Sequence, residues 1–401
     1  MAENLVIDDN AKPSVLYDCH IRLGAKSHLA PFAGYLMPLW YSSISAEHAA
    51  VREAAGLFDC THMGILEVAG AGAEDFINRF STNDASALQN SKAQYSYVLN
   101  ANGHILDDII VYRRTDDNFM VVVNAANEQK IKDYLWAMDA GDALLRDMRD
   151  TKTAGDCRVD IALQGPASID ALSGIFAGER SQLEGIKSFC FIEGKIAGVD
   201  CIISRTGYTG AKTGFELFVH PDNAAKVWQE ILDKGEEFGV VPCGLGSRDS
   251  LRIEAGLPLY GHELAGPFDI SPFEAGYGWA VKLDIPMNRD FIGKEAIIRR
   301  AENFDMQVVR IELPGQRGIR PVRQNDCIAV NDKCAGWVLS CAKAGDVQIA
   351  LAYVKKKIAD EAKKTGIHYM PRKANENERL ELGENVEADI EGKLLKRFAR
   401  F

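Results

Sequence analysis

The chain has 401 residues, 47% hydrophobic and 26% charged, a composition typical of folded globular proteins that excludes disordered, collagen-like and disulfide-stapled classes. At about 150 residues per domain, the length predicts two or three domains. The 57 acidic against 46 basic side chains give a net charge of −11, which argues against a broad nucleic-acid-binding surface.

The expected location is the cytoplasm, with no membrane span. No apolar run reaches ~18 residues, and the start, MAENLVIDDNAKPS, is acidic and unlike a signal peptide. The nine cysteines are odd in number and include no CxxC pair, so we expect reduced, mostly buried thiols. The evenly spaced Cys327, Cys334 and Cys341 have no adjacent histidine, and we predict no metal site.

The first periodic pattern in chain order is SAEHAAVREAAG at residues 45–56. Its apolar stripe predicts a helix whose cap lies near Ser45 and His48 and which ends at Gly56. The sequence GILEVAG then predicts a strand, and AEDFINRF predicts a short helix.

The strongest local pattern is a β-hairpin. Residues 108–113 (DIIVYR) and 118–124 (NFMVVVN) are rich in β-branched and aromatic side chains and flank a polar turn. Antiparallel pairing about that turn puts Asp108 opposite Asn124, within one residue. Two polar side chains are therefore expected to meet at the open end of an apolar ribbon.

The second half of the chain follows a similar order of elements. A strand IALQG, a helix ASIDALSGIF, a strand VDCIISRT, a turn GYTGAKTG and a strand FELFVH precede a helix at 223–239. From residue 305 onward QVVRIEL, DCIAV, GWVLS and VQIALAYV alternate with turns, which predicts a smaller β domain. The predicted domains are two related α+β units at 1–150 and 151–300, then a β domain at 305–401 with a charged insertion near 359–381.

Several common catalytic motifs are missing from the sequence. It has no GxxxxGK[ST] phosphate loop, no strand-linked GxGxxG and no GxSxG elbow, which disfavours kinases, Rossmann dehydrogenases and serine hydrolases. Polar residues at strand ends remain as candidates. Asp107 and Asp108 are adjacent, so we expect them on opposite faces of the strand, with only one in a given pocket. Asn124 is equally suited to cap the helix predicted at 126–137.

Two further candidate regions follow later in the chain. Tyr208 lies in RTGYTGAKTGFE, a loop that can hold a flat ligand or form a plain hairpin turn, and Glu216 enters the next strand. Arg248 lies in GLGSRDSLRIEAGLPLYGHEL, where ordinary ion pairs along a helix are the simpler explanation. Taken singly, none of these features is specific.

Together the motifs are specific. The string LYDCHIRLGAK is followed in order by PFAGYLMPLWY, EHAAVREAAGLFDCTHMG, GHILDDIIVY, GYTG…GFELFV, GLGSRDSLRIEAGLPLYGHEL, PFEAGYGWAVKLD and FIGKEA. In number and order they resemble the aminomethyltransferase family, the tetrahydrofolate-dependent T-protein of the glycine cleavage system. The resemblance spans residues 15 to 300 and is weaker towards residue 350.

This resemblance implies a fold and a set of site residues. The fold is a three-domain α+β cloverleaf in which two ferredoxin-like units, with chain exchange between them, and a C-terminal β-barrel-like domain surround a central folate channel. Asp108 matches the family's catalytic aspartate. The folate-contacting and further pocket positions are matched by Asn124, Tyr208, Glu216, Arg248, Met63 in THMG, Tyr95 in QYSYVLN and Trp279 in GYGWAV.

The implied reaction takes an aminomethyl group from the dihydrolipoyl arm of a transiently bound, lipoylated H-protein. Tetrahydrofolate accepts the carbon as 5,10-methylene-tetrahydrofolate, and ammonia leaves. Asp108 would orient the folate amine and stabilise a cationic carbon, and Glu216 would accept the N–H donors of the pterin. Arg248 would hold a carboxylate or fix Asp108 or Glu216 in its charged state. The sequence sets no oligomeric state.

Departures from the family pattern bear on the donor substrate. The family's GYTGEDGFE is GYTGAKTGFE here, and its TSG turn is missing from GWVLSCA. One alternative is therefore a folate-dependent demethylase on the same scaffold, acting on a methylated sulfonium, amine or methoxy compound. Another is a folate-binding protein without transferase activity, against which stand the missing KGCYxGQ-type motif and the aspartate at position 108.

Overall fold

The computed structural model of the chain describes residues 11–152, 155–283, 290–357, 365–371 and 378–399. These residues form two compact units. The first takes the described parts of Met1–Asn100, Leu106–Arg248 and Asp284–Ile292, and the second takes those of Ala101–Ile105, Asp249–Leu283 and Gly293–Phe401. The domain boundaries given above stay a prediction.

The first unit is a mixture of strands and helices. Its strands are β1 (Lys12–Pro13), β2 (Leu29–Phe32), β3 (Tyr35–Pro38), β4 (Ala55–Asp59), β5 (Gly64–Ala69), β6 (Lys92–Leu99), β7 (Ile105–Thr115), β8 (Asn118–Val123), β9 (Leu144–Asp147), β10 (Val159–Gln164), β11 (Phe191–Ile196), β12 (Val199–Ser204), β13 (Gly214–Val219) and β14 (Val240–Cys243). Its α-helices are α1 (Tyr17–Arg22), α2 (Ile44–Glu53), α3 (Ala73–Phe80), α4 (Glu128–Trp136), α5 (Ser168–Ser173), α6 (Arg180–Gly185) and α7 (Pro221–Gly235). A further helix, α8 (Leu245–Ala255), contains the boundary between the units.

A five-stranded sheet in the order β6-β7-β8-β5-β9 contains the predicted hairpin. In β7 and β8, Ile109 lies opposite Val123 and Arg113 opposite Phe119, so the predicted antiparallel pairing is confirmed. Helices α3 and α4 cover one face of this sheet, where Phe76 and Ile131 pack with the buried strand residues. Strand β8 is apolar on both faces, because its residues alternate between this core and a second buried cluster that contains Met120.

A six-stranded sheet has the order β11-β12-β13-β10-β4-β14. Its strand β4 lies antiparallel to β10, with Ile161 opposite Asp59, and parallel to β14, with Val240 opposite Ala55. A strand from the first hundred residues thus completes a sheet whose other strands lie between residues 159 and 243. Helices α5, α6 and α7 cover one face, and the buried Trp228 belongs to that core.

The helix predicted at residues 45–56 is shifted in the structure. Helix α2 begins after Ser43, whose extended backbone lets its hydroxyl accept from the amide of Ala46 at 3.2 Å, so the cap near Ser45 was wrong. The helix ends at Glu53, and Gly56 lies inside β4 rather than at the helix end. A Cβ at Gly56 would lie 2.5 Å from the Sγ of Cys243, so close packing explains this glycine.

The second unit has a β-barrel at its centre. Helix α9 (Lys294–Glu302) precedes the strands β15 (Met306–Pro314), β16 (Cys327–Val330), β17 (Lys333–Ala344), β18 (Val347–Lys355), β19 (Thr365–His368) and β20 (Ile390–Leu395). These strands close in the order β15-β18-β17-β16-β19-β20 around buried aliphatic side chains. The prediction of an α+β fold that ends in a β-barrel-like domain is confirmed. Part of the predicted insertion at 359–381 lies outside the described residues, and β19 lies within it.

The cysteines agree with the expectation of reduced, mostly buried thiols. All nine cysteines are free thiols, and seven of them are buried. Among the described residues, no helix is both long and apolar enough to cross a bilayer.

Candidate active site

One face of the six-stranded sheet carries polar side chains. Along β10, Val159 and Ile161 pack into the core beneath α5 and α7, so Asp160 between them points to the opposite face. In the ladder between β10 and β13, Ala162 lies opposite Glu216, which puts Glu216 on the same face as Asp160.

Asp108 is held from two sides at the open end of the hairpin. The Tyr95 hydroxyl donates to its Oδ2 at 2.8 Å, and the Asn124 side-chain amide donates to its Oδ1 at 2.9 Å. Burial raises the pKa of Asp108, and the two hydrogen bonds oppose that shift. The hairpin thus brings Asp108, Asn124 and Tyr95 together, with Asp108 beside Asn124 as its register predicts.

The same amide also reaches the neighbouring aspartate. Asn124 Nδ2 donates to Oδ1 of Asp107 at 2.8 Å, so the side chain of Asn124 does not cap the following turn as expected. Asp107 is fully buried and Asp108 half-buried, yet both accept from one amide. The expectation that only one of them can lie in a given pocket stays a prediction, because a shared amide partner does not place both side chains in one pocket. Because β8 ends at Val123, Asn124 lies across the strand end rather than on either face.

Glu216 lies where the five-stranded and six-stranded sheets of the first unit meet. Its Oε2 accepts from the Thr206 hydroxyl, at 2.5 Å, and from the Tyr112 hydroxyl, at 3.3 Å. Tyr112 belongs to β7 of the five-stranded sheet, whereas Glu216 belongs to β13 of the six-stranded sheet. Burial and the charge of Glu216 both raise the pKa of Tyr112 well above its usual value, so this hydroxyl stays protonated and donates.

Asp108 and Tyr112, the hydrogen-bond partner of Glu216, lie on the same face of β7. Side chains two apart on a strand point the same way, so Asp108, Ile110 and Tyr112 form a row. At about 3.3 Å per residue, the row is about 13 Å long from Asp108 to Tyr112. Met63 is half-buried and packs beside Ile110 and Tyr112 in one apolar cluster. An apolar strip therefore separates two polar ends.

Arg248 lies at the Glu216 end. Its guanidinium is 5.2 Å from the centre of the Tyr208 ring, which brings these two predicted residues together. Burial lowers the pKa of Arg248, but the neighbouring Cys60, Glu216 and Asp160 outweigh that effect and raise it. The buried Nη1 of Arg248 finds no hydrogen-bond partner within the described part of the chain. A buried donor of this kind is suited to a bound polar group.

Asp160, which no sequence motif indicated, is a second buried polar residue at this end. It is buried, and its Oδ1 has no hydrogen-bond partner among the residues described. Burial and the charge of Glu216 raise its pKa well above the usual range, and Arg248 opposes the shift. The available signal was an acidic residue inside the otherwise apolar run VDIAL.

The remaining predicted residue lies in the other compact unit. Trp279 is 53% exposed, and its ring centre is 6.0 Å from that of Tyr277.

The ordinary ion pair expected along α8 also forms, since the Arg252 guanidinium lies 2.9 Å from the Asp249 carboxylate. Arg248, one turn earlier on the helix, contacts Tyr208 instead.

Comparison with known proteins decides the family. The model of the GCVT N-terminal domain matches residues 16–285. An aminomethyltransferase of Desulforamulus reducens is 40% identical over 359 residues, which cover 89% of this chain and 93% of that protein. The chain belongs to the aminomethyltransferase family.

Two further relatives support the same family. An aminomethyltransferase of Halalkalibacterium halodurans is 44% identical over 293 residues, which are 73% of this chain and 75% of that protein. The crystal structure of the glycine cleavage system aminomethyltransferase T from Bartonella henselae is similar with a TM-score of 0.79 and 28% identity. The similarity covers 97% of this chain and 98% of that one, so the aminomethyltransferase fold extends over both compact units.

Proposed function

We propose that this aminomethyltransferase moves the one-carbon unit from the aminomethyl-dihydrolipoyl arm of an H-protein to tetrahydrofolate and releases ammonia. Overall, one folate N–H proton ends on the lipoyl sulfur and the other on ammonia, so atoms and charge balance. The observation that carries the proposal is the strip along β7, with Asp108 at one end and Glu216 at the other. The names of the relatives agree with this activity.

The Glu216 end suits the pterin of tetrahydrofolate. A pterin is flat and carries both donors and acceptors, so it needs apolar walls together with a few polar partners. Glu216 offers an acceptor, while Arg248 Nη1 and Asp160 Oδ1 are buried and unpaired among the described residues. Tyr208 and Met63 supply apolar surface. When bound, tetrahydrofolate supplies the two amine nitrogens that accept the carbon.

Asp108 suits the reacting end. Tyr95 and Asn124 each occupy one of its carboxylate oxygens and fix the plane of the group. The lone pairs that remain can accept an N–H of the folate amine and orient that amine towards the carbon. A carboxylate here also stabilises positive charge that develops on the transferred carbon. The part of Trp279 in the pocket stays a prediction.

The proposed reaction requires a partner protein, and the cysteines bear on the location of the chain. We propose that a lipoylated H-protein binds transiently and presents its arm to the Asp108 end. All nine cysteines are free thiols, as expected in a reducing compartment, which supports a cytoplasmic location.

The test supplies the purified chain with tetrahydrofolate and aminomethylated H-protein. We expect methylene-tetrahydrofolate and ammonia in equal amounts, and neither product without H-protein. If neither product forms with both substrates present, the proposal is wrong. The alternative, a folate-dependent demethylase, requires 5-methyl-tetrahydrofolate from a methylated small molecule, and the names of the relatives do not favour it.

A further inference from the structure

Asp107 is buried behind the proposed catalytic carboxylate. Its side chain is 0% exposed, and it lies next to Asp108 in β7. Its Oδ2 accepts from the Asn124 backbone amide at 2.9 Å. Its Oδ1 accepts from the side-chain amides of Asn124, at 2.8 Å, and Asn127, at 2.5 Å. Burying a carboxyl group costs free energy, and strand formation alone does not require an aspartate at this position.

The orientations of the Asn124 and Asn127 side-chain amides are each fixed by a partner that can only accept or only donate a hydrogen bond. Asn124 Nδ2 also lies 3.1 Å from the Asp108 backbone oxygen, which can only accept. The Lys130 ammonium can only donate, and it lies 2.8 Å from Asn127 Oδ1, so Nδ2 of Asn127 must face Asp107. Every partner of Asp107 among these contacts is therefore a donor, and a proton on Asp107 would find no acceptor.

We propose that Asp107 is a positioning residue that stays ionised, holds Asn124 across the strand end, and places a fixed negative charge behind Asp108. This inference rests on the proposed function, because it concerns how Asp108 acts in that reaction. The chain of contacts runs from Lys130 through Asn127 and Asp107 to Asn124. Asn124 in turn bonds the reacting carboxylate.

Two adjacent buried carboxyl groups cannot both ionise easily. Burial raises the pKa of both aspartates, and repulsion raises the pKa of the pair further. The titratable group that contacts the pair is the Tyr95 hydroxyl from β6, whereas the Lys130 ammonium from α4 contacts Asn127 and reaches Asp107 only through that amide. Because Asp107 is surrounded by donors, the proton that the pair takes up goes to Asp108, whose partner Tyr95 can also accept. Asp108 is thus a stronger base than an isolated carboxylate.

The charge at Asp107 determines the pH range in which Asp108 is ionised and therefore the pH dependence of kcat/KM. If ionised Asp108 is required, kcat/KM falls as the pH drops through its raised pKa. Removing the charge at Asp107 lowers that pKa, so the acid limb of the profile moves to lower pH. One pKa unit corresponds to a tenfold change in the ionisation constant, and we expect a shift of about one unit or more.

The experiment compares Asp107→Asn with the intact chain by the ammonia-release assay, from about pH 5.5 to about pH 9. The control is Asp116→Asn, the same change at an exposed position in the turn of the same hairpin. We expect the acid limb to move to lower pH in Asp107→Asn only. A uniform loss of activity with an unmoved limb would show that Asp107 is merely structural, and would overturn the inference.

A second variant covers the case in which Asp107→Asn does not fold. Asn127→Ala removes one donor, which raises the pKa of Asp107 and weakens its charge in the neutral range. The acid limb should then move in the same direction by a smaller amount, and an unmoved limb or one at higher pH contradicts the inference. An intact chain that makes no methylene-tetrahydrofolate at any pH contradicts the proposed function instead, so the two failures are distinguishable.

Discussion

The change Glu216→Gln tests the pterin end of the site. In the structure the Thr206 and Tyr112 hydroxyls donate to one oxygen of Glu216. A glutamine keeps the shape and turns its carbonyl oxygen to these donors, so its NH₂ group points to the space where the pterin donors would lie. Two donors then face each other, and a charge-assisted hydrogen bond is lost.

The expected magnitude follows from the loss of that bond. Hydrogen bonds to charged groups contribute about 1.5 to 3 kcal/mol, which corresponds to a rise of roughly 10- to 200-fold in the Kd for tetrahydrofolate. The kcat at saturating folate should change much less, because Asp108 is untouched. Calorimetric titration measures the Kd, and the assay with H-protein measures kcat.

The matched control is Glu237→Gln, at an exposed glutamate of the same unit. It should bind tetrahydrofolate as the unchanged chain does. An unchanged Kd in Glu216→Gln, with the Tm preserved, would refute the assignment of Glu216 to the pterin. A fall in kcat equal to the loss of affinity would instead place Glu216 with the reacting atoms.

Two other substitutions address the same end of the site. In Arg248→Lys the planar group over the Tyr208 ring is lost although the charge remains, so we expect the Kd for tetrahydrofolate to rise about tenfold in the same calorimetric titration. Asp160 has a raised pKa in the folded state, so ionisation costs stability as the pH rises above the usual aspartate range. Asp160→Asn should therefore gain Tm relative to the unchanged chain as the pH increases from about 4 to about 8, and a constant Tm difference across this range would contradict the shift.

The features that the sequence predicted correctly are mostly local. The β-rich runs and the polar turn were enough for the hairpin register, and the register alone brings Asp108 to Asn124. The barrel strands were visible for the same reason, as alternating apolar runs between turns. The family motifs added Glu216 and Arg248, whose roles stay a prediction and which no local pattern distinguishes from residues of an ordinary strand and an ordinary helix.

The features that the sequence missed depend on distant partners. The start of strand β4, Ala55 and Gly56, was taken for the end of a helix, because the pairing partners of β4 lie about a hundred residues or more away in β10 and β14. Asp160 was not a candidate, because only the pairing of β10 with β13 places it on the same face as Glu216. Asp107 was a candidate without an assigned role and Asn127 was missed, because their contacts depend on the direction of single hydrogen bonds, which composition and spacing do not encode.

The central claim is that Asp108 acts in the transfer step, and Asp108→Asn tests it most directly. The amide keeps the size of the side chain and a partner for Tyr95, but it loses the negative charge and the ability to accept a proton as a carboxylate. Loss of such a group costs roughly 10²- to 10⁴-fold in rate. We expect kcat with aminomethylated H-protein to fall by that amount while the Kd for tetrahydrofolate stays within about threefold. Equal losses in turnover and affinity, or turnover close to that of the unchanged chain, would contradict the role given to Asp108.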